Sequence, residues 1–263
     1  MEKVIDINYF ELFTGYALML IPVFVFWYYK TGLVKDTITA TVRMTIQLLL
    51  VGLYLEYIFK LNSIIVNTAW VLLMSIIASY TVITRSNLKL GMFFLPVVFS
   101  GIISIAVTDA YFLGVVVKLK NVFDARYFIP VTGMLLGNTI KNVVIALNAF
   151  YKRIYEESNY YRRYLANGAS KKEALHPFMR HALRSAFNPM IATTAIMGLI
   201  SLPGMMTGQI LGGSNPNVAV KYQIMLLITI FSSAVLNIVL TIFFSNKFAF
   251  DAYDNLKKEI FRK

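Results

Sequence analysis

Long stretches of apolar residues alternate with short polar links along nearly the whole chain. Windows of about 20 apolar residues recur, and a helix of that length spans a hydrocarbon core of about 30 Å. Because irregular backbone cannot satisfy its hydrogen bonds in lipid, each window predicts a transmembrane helix. The seven predicted spans cover residues 10–29, 39–59, 64–84, 92–117, 128–150, 188–211 and 222–245. The pattern predicts an all-α integral membrane protein.

The spans are expected to form one unit. Neither a Gly/Ser-rich linker nor a low-complexity tract separates them, and no internal repeat is visible. We therefore expect a single transmembrane domain over residues 1–263. The residues before the first span include Glu2, Asp6 and a single Lys3, unlike the basic start of a cleaved signal peptide. The first span is therefore expected to remain in the protein.

Composition and charge support a membrane location and predict an orientation. Only 14% of residues are charged, against about 25% in soluble domains. With the N-terminus outside, 17 of the 25 Lys and Arg residues fall in segments facing the cytoplasm and six in outer segments. Cytoplasmic loops carry this excess, so the seven spans are predicted to run N-out/C-in through a cell membrane. The same bias explains the net charge of +12, so no nucleic-acid partner is expected.

The link at about 151–187 is the one long polar connection between predicted spans. Gly168 can supply a turn, and Ser170 can cap a helix in which Glu173 is the third residue. Pro177 is expected to end that helix or to begin the next. The sequence therefore predicts a short amphipathic helix below the membrane, framed by extensions of the fifth and sixth spans.

The residues needed for most enzyme chemistry are missing. The chain has no cysteine, and a Walker-type phosphate loop does not occur. The two histidines, His176 and His181, lie in the polar link, and no Ser/His/Asp or H-E-x-x-H arrangement exists. We therefore expect no catalytic residues and no cofactor bound by this chain.

The fifth span carries polar residues at spacings that place them roughly on one helical side. They are Asn138, Lys141, Asn142 and Asn148. One interpretation is a solute pathway, because a polar side chain exposed to lipid is costly. The other is hydrogen bonding between helices, with the Lys141 side chain reaching toward the interface. The Gly133 and Gly137 pair in the same span favours close helix packing.

Two acidic residues lie toward the outer ends of spans. Glu56 precedes Lys60 by four residues, which favours an ordinary helical ion pair. Asp109 lies in the outer part of the fourth span without a nearby partner along the sequence. It can be a buried acid on a cation path, or it can pair with Lys118 or Arg126 at the outer interface.

The sixth span has the most unusual composition. Pro203 is expected to kink the helix and to free a carbonyl near Leu199. The residues that follow combine a glycine face with soft or amide side chains: Gly204, Met205, Met206, Gly208, Gln209 and Gly212. Broken helices hold substrate in many transporters, which makes the glycine face a candidate outer gate and the other side chains candidate solute contacts. The simpler interpretation is a tightly packed kinked helix with methionine as filler.

This span also carries a family resemblance. Residues 201–213 read SLPGMMTGQILGG and are followed by Pro216 and Tyr222-Gln223. Residues 43–48 (RMTIQL), 130–134 (PVTGM) with Gly137-Asn138, and 165–174 extend the similarity over nearly the whole chain. Together they resemble the FetB-type family of ABC transporter permeases, whose bacterial members are linked to iron export and plant relatives to aluminium tolerance.

The resemblance implies a permease subunit that uses ATP through a separate cytoplasmic ATPase, as a homodimer with two ATPase subunits in membrane lipid. It also implies that the polar link holds a coupling helix that docks on the ATPase. The residues concerned are Gly168, Ala169, Ser170, Glu173 and Ala174. The cargo expected from the family is a metal cation. Two alternatives remain open, namely an ABC permease for a nucleotide sugar or lipid precursor, and an ion-coupled secondary transporter.

Overall fold

The computed structural model describes residues 7–200 and 202–262, and α-helices form most of this part of the chain. The helices are α1 (Tyr9–Gly15), α2 (Leu20–Tyr28), α3 (Val34–Leu61), α4 (Ile64–Arg85), α5 (Leu90–Asp109), α6 (Ala125–Glu156), α7 (Ser158–Ala166), α8 (Lys171–Ala195), α9 (Gly204–Leu211) and α10 (Pro216–Ala249). A 3₁₀ turn at Tyr16–Met19 joins α1 to α2, and a π-helical segment, Ala110–Val116, extends α5. No β-strand occurs within the described ranges, so the all-α prediction is confirmed.

Six helical segments are long and apolar enough to cross a membrane. They are Tyr9–Tyr28, Val34–Leu61, Ile64–Arg85, Leu90–Val116, Ala125–Glu156 and Pro216–Ala249. These segments match six of the seven predicted spans, and the protein is a multi-pass membrane protein.

The predicted span at 188–211 is not one helix. α8 ends at Ala195, and Gly198 adopts a left-handed conformation with φ of 88°. The chain becomes helical again only at α9, whose N-cap residue is Pro203. The prediction that Pro203 kinks a continuous helix is therefore wrong, because the helix has already ended and Pro203 starts the next one. Ser201 of the motif lies outside the described residues.

The interrupted segment formed by α8 and α9 still runs in the direction opposite to α10. The Lys171 Nζ atom, at the start of α8, lies 2.7 Å from a carboxylate oxygen of Asp254, just beyond α10. The start of α8 and the end of α10 therefore share one face of the bundle. α8 and α9 lead away from that face, and α10, about 51 Å long at 1.5 Å per residue, returns to it.

The bundle core is formed by α4, α5, α6, α8 and α10. Phe150, Tyr151 and Ile154 of α6 are fully buried near the face that holds the start of α8. The N-terminal helices differ, since α1 and α2 bury no residue and α3 buries Ile58 alone. Their apolar surfaces are left for lipid or for another protein chain.

The segment after α10, residues 250–262 and called the tail here, folds back onto the same face. The Lys89 N–H donates to the Ile260 carbonyl at 2.7 Å, and the Arg262 N–H donates to the Asn87 carbonyl at 2.8 Å. The Ile260 side chain is fully buried. At the other end of the tail, the Tyr161 hydroxyl of α7 donates to the Asp254 carbonyl at 2.9 Å. The tail thus ties the link between α4 and α5 to the start of α8.

The tail offers a direct test of the predicted orientation. Tyr253 is 84% exposed, and the chain has no native cysteine that would react in its place. In intact cells, Tyr253→Cys and Lys257→Cys variants should resist a membrane-impermeant maleimide until the cells are opened. An exposed residue in a predicted outer link, Lys120→Cys, should label at once. Labelling of the tail from outside intact cells would overturn the N-out/C-in prediction.

Candidate functional site

A cavity of about 650 Å³ lies where the break between α8 and α9 faces α10. Its lining is mostly apolar, with the polar or soft side chains Thr194, Met197, Met206, Gln223 and Ser232 at intervals. Gly198, which has the left-handed backbone conformation at the break, is itself one of the lining residues. Cavities at helix breaks are where transporters commonly hold their cargo.

Gln223 is a buried amide side chain in the wall of this cavity. It is only 8% exposed, and its Oε1 atom has no hydrogen-bond partner among the described residues. An unpaired buried acceptor costs about 1–3 kcal/mol, so it requires a compensating ligand, ion or water. The thioethers of Met197 and Met206 line the same space and are soft donors. The cavity wall therefore holds one amide and two thioether side chains, and the Gln223 oxygen, itself buried, would have to turn toward the space to meet a solute.

The sequence-predicted residues of α9 separate into different roles. Met206 lines the cavity, as does Pro203. Met205 instead packs against the apolar cluster that contains Phe112 and Leu113. Gln209 has a buried Oε1 atom without a partner in the described part of the chain, but it is not in the cavity wall.

The glycine face of α9 is uncovered within one chain. A Cβ atom added at Gly204 or Gly208 would meet no atom within 4 Å, whereas at Gly212 it would lie 3.2 Å from the Gly208 carbonyl oxygen. Among residues 7–200 and 202–262, no other helix packs closely on Gly204 or Gly208. Whether the face serves as a gate stays a prediction.

The polar residues of the fifth predicted span, which is α6 in the structure, are partly buried between helices and partly exposed. The buried Asn142 side chain donates to the sulfur of Met190 on α8 at 3.3 Å, which fits the interhelical interpretation. Asn138 and Lys141 lie on an exposed side of α6, and the Asn138 amide donates only to its own helix, at the Met134 carbonyl. These two residues need water or another chain beside them if they lie in the membrane.

The two glycines of the predicted pair, Gly133 and Gly137, also have different surroundings. A Cβ atom at Gly133 would lie 3.1 Å from the Met74 Cε atom of α4, so this glycine permits close packing. Gly137 has open space around it.

Asp109 closes α5 and is buried, with 2% of its surface exposed. One carboxylate oxygen accepts a 2.6 Å hydrogen bond from the Thr132 hydroxyl of α6, and the other has no partner among the described residues. The predicted pairing with Lys118 or Arg126 is wrong, because the side chain points into the bundle. The predicted ion pair of Glu56 with Lys60 is present at 2.7 Å and is exposed.

The turn between α7 and α8 has the predicted local structure. Gly168 has φ of 86°, and the Ser170 and Glu173 side chains form a complete capping box. The Glu173 carboxylate accepts from the Ser170 N–H at 2.8 Å and the Ser170 hydroxyl at 2.7 Å, which lowers the pKa of Glu173. Ala174 is fully buried behind the cap, whereas Gly168 and Ala169 are not. We call α7, this turn and the first turn of α8 the hairpin.

The expected helix boundary at Pro177 is wrong. α8 continues through Pro177 and Pro189 to Ala195, so the capped start is one end of a 25-residue helix. The carbonyl that Pro177 leaves unbonded belongs to the exposed residue Glu173, where water can replace the lost hydrogen bond. The hairpin and the cavity are therefore connected by a single helix.

Sequence reasoning did not select Met197 and Gln223 as site residues. Gln223 is one of two amides, with Asn237, in the apolar window 222–245, and only its placement beside the helix break distinguishes it. The signal available was its type, since an amide in a membrane span needs a partner. Groups of three or more His, Cys, Asp or Glu able to hold a metal ion do not occur within residues 7–200 and 202–262.

Comparison with known proteins gives the chain its family. The model of the Uncharacterised protein family (UPF0014) matches residues 9–250. UPF0014 membrane protein YjkA of Bacillus subtilis is 30% identical over 95% of this chain and 99% of its own. Probable iron export permease protein FetB of Escherichia coli is 32% identical over 85% of this chain and 86% of its own, and Protein ALUMINUM SENSITIVE 3 of Arabidopsis thaliana is 28% identical over 80% and 76%. No solved structure matches the chain significantly. With a family match over most of its length, this membrane protein belongs to the UPF0014 family.

Proposed function

We propose that this protein is the permease subunit of an ABC transporter that exports a metal cation with the help of a separate ATPase. The observation that carries the proposal is the cavity at the break between α8 and α9, with its unpaired Gln223 oxygen and two thioethers. The similarity to a probable iron export permease supports the choice of cargo.

The continuous α8 supplies a route for coupling. It begins at the capped hairpin and extends about 36 Å to Thr194 and Ala195, at the edge of the cavity. An ATPase bound to the hairpin would move one end of this helix, and the cavity wall would move with the other end. Such a lever requires a rigid link at the hairpin, which the Ser170 and Glu173 cap provides.

The donor set suits a cargo that passes through. Neutral thioether and amide oxygen ligands compensate none of the charge of a cation, so they hold it less firmly than thiolates or carboxylates would. Weak contacts allow release on the far side of the membrane, whereas a tight site would retain the ion. Asp109 lies elsewhere in the bundle and is not in the cavity wall.

Transport by the purified complex tests the proposal. The chain is reconstituted in liposomes with candidate ABC ATPase subunits from the same organism, and ferrous iron and other divalent metals are offered with ATP or with a non-hydrolysable analogue. We expect metal movement that requires hydrolysis. Movement driven by a proton or sodium gradient without an ATPase would instead show a secondary transporter.

Alanine variants of Met206 and Met205 form a matched pair that tests whether a cavity thioether contacts the metal. Met206→Ala removes a thioether from the cavity wall and should change the order of preference among transported metals. Met205→Ala removes a side chain from the apolar cluster around Phe112, so it should lower thermal stability while preserving that order. Competition assays between metals, with thermal melts of both variants, measure the two effects. Equal metal preference in Met206→Ala and the parent would mean that its sulfur only packs.

A further inference from the structure

A second opening, a groove of about 540 Å³, lies between α6, α8 and α10 at the face that carries the hairpin. Phe150, Leu175 and Ile242, all buried, form its floor. It is distinct from the cavity beside α9, with which it shares no lining residue. We propose that this groove binds an anionic phospholipid of the cytoplasmic leaflet.

The α8 wall changes from basic to apolar along its length. Lys172, His176 and Met179 line the groove in that order at spacings of four and three residues, so they share one side of the helix. Lys172 stands in the first turn of α8, at the polar face, and Met179 lies about 10 Å further along the helix.

The α10 wall shows the same change in the same direction. Lys247, near the end of the helix, is followed toward the middle of the bundle by Phe243 and Val239 at spacings of four. Because α8 and α10 run in opposite directions, their basic ends meet at one mouth of the groove. Two walls that both pass from cation to hydrocarbon fit an amphiphile with an anionic head.

Two of the three lysines at the mouth lack an ion-pair partner among the described residues. Lys171 is engaged with Asp254 at 2.7 Å and lies over the Phe250 ring at 4.3 Å. Lys172 and Lys247 have no ion-pair partner in the described part of the chain, and none of the residues that line the groove is acidic. Asn246, beside Lys247, adds an amide that can bind an ester or phosphate oxygen. The mouth therefore complements one anionic headgroup.

The apolar wall favours a lipid over a soluble anion or a soluble protein. Phe243 is 62% exposed and stands six residues, about 9 Å, before the end of α10 at Ala249. Its exposed ring adds to an apolar wall that complements an acyl chain and that a soluble anion would leave unused. The preference of cytoplasmic loops for lysine explains the charges at this face but not the hydrophobic groove beneath them.

Native mass spectrometry of the purified chain in neutral detergent tests the proposal. Titration with phosphatidylglycerol should give one tightly retained lipid per chain, and phosphatidylcholine should bind far more weakly. The Lys172→Gln/Lys247→Gln variant should bind phosphatidylglycerol about 30-fold more weakly. Val239→Trp, which fills the groove and keeps every charge, should also lose the retained lipid.

A charge-matched control uses Lys30→Gln/Lys35→Gln, one lysine in the link after α2 and one in the first turn of α3, and should leave binding unchanged. Equal weakening in this control would show general attraction of basic residues to anionic lipid and overturn the site. Displacement of the lipid by glycerol phosphate would also overturn it, since the apolar wall would then be irrelevant. Photo-crosslinking from position 243 should give a lipid adduct, and a chain-to-chain adduct would mean that a second copy fills the groove.

Discussion

Gly168→Val should uncouple ATP hydrolysis from transport while the protein still inserts in the membrane. Gly168 has φ of 86°, and a β-branched side chain in this region costs about 1–3 kcal/mol. A Cβ atom there would meet no neighbour within 4 Å, so the expected damage comes from backbone strain and not from a clash. Relief of that strain would rotate the capped start of α8, and we expect coupled metal transport to fall roughly tenfold or more.

Gly168→Asn provides the control for this effect, because asparagine adopts left-handed backbone more readily than valine does. Transport and ATPase activity are measured together in liposomes for both variants. The expected pattern is persistent hydrolysis with little transport in the valine variant, and near-normal coupling in the asparagine variant. Normal coupled transport in Gly168→Val would show that the hairpin turn does not position the ATPase.

Gly208→Leu should abolish transport without preventing folding of the chain. No other described residue of the chain occupies the space beside this position, and leucine is favoured over glycine in a helix by up to about 1 kcal/mol. Loss of transport must then come from a neighbour that approaches α9 during the cycle, most simply the second copy of a homodimer. Thermal melts of the isolated chain and transport by the complex separate the two effects.

Gly91→Leu is the matched control, since this glycine lies in the first turn of α5 and is equally open. It should preserve transport. If Gly208→Leu also transports like the parent, the glycine face of α9 has no close partner at any stage, and its proposed role as an outer gate is wrong.

The sequence predicted the continuous spans closely, because hydropathy and helix length are set by local composition. The span predicted at 64–84 is the helix Ile64–Arg85, and that predicted at 10–29 is Tyr9–Tyr28. The capping box at Ser170 and the turn at Gly168 were also predictable, since each depends on a few neighbouring residues.

The break between α8 and α9 was harder to predict because its residues are as apolar as a continuous span. Pro203 drew attention as a helix breaker, but the turn depends on the left-handed backbone of Gly198, five residues earlier. Hydrophobicity carries no information on φ, so neither the helix break nor the cavity beside it could be predicted from the hydropathy pattern. Met205 and Met206 are adjacent in sequence, and only the packing of α9 shows which sulfur faces the cavity.

The tail has a consequence for how the protein is made. The Lys89 N–H and the Asn87 carbonyl are bonded by residues that the ribosome adds long after α4 and α5 have left the exit tunnel. Until Ile260 is synthesised, the apolar site it fills near Leu88 stays uncovered. Assembly of this face must therefore wait until α10 has been synthesised. A nascent chain stalled before residue 260 would leave this face of the bundle incomplete, so any partner that recognises the finished face would bind only completed chains.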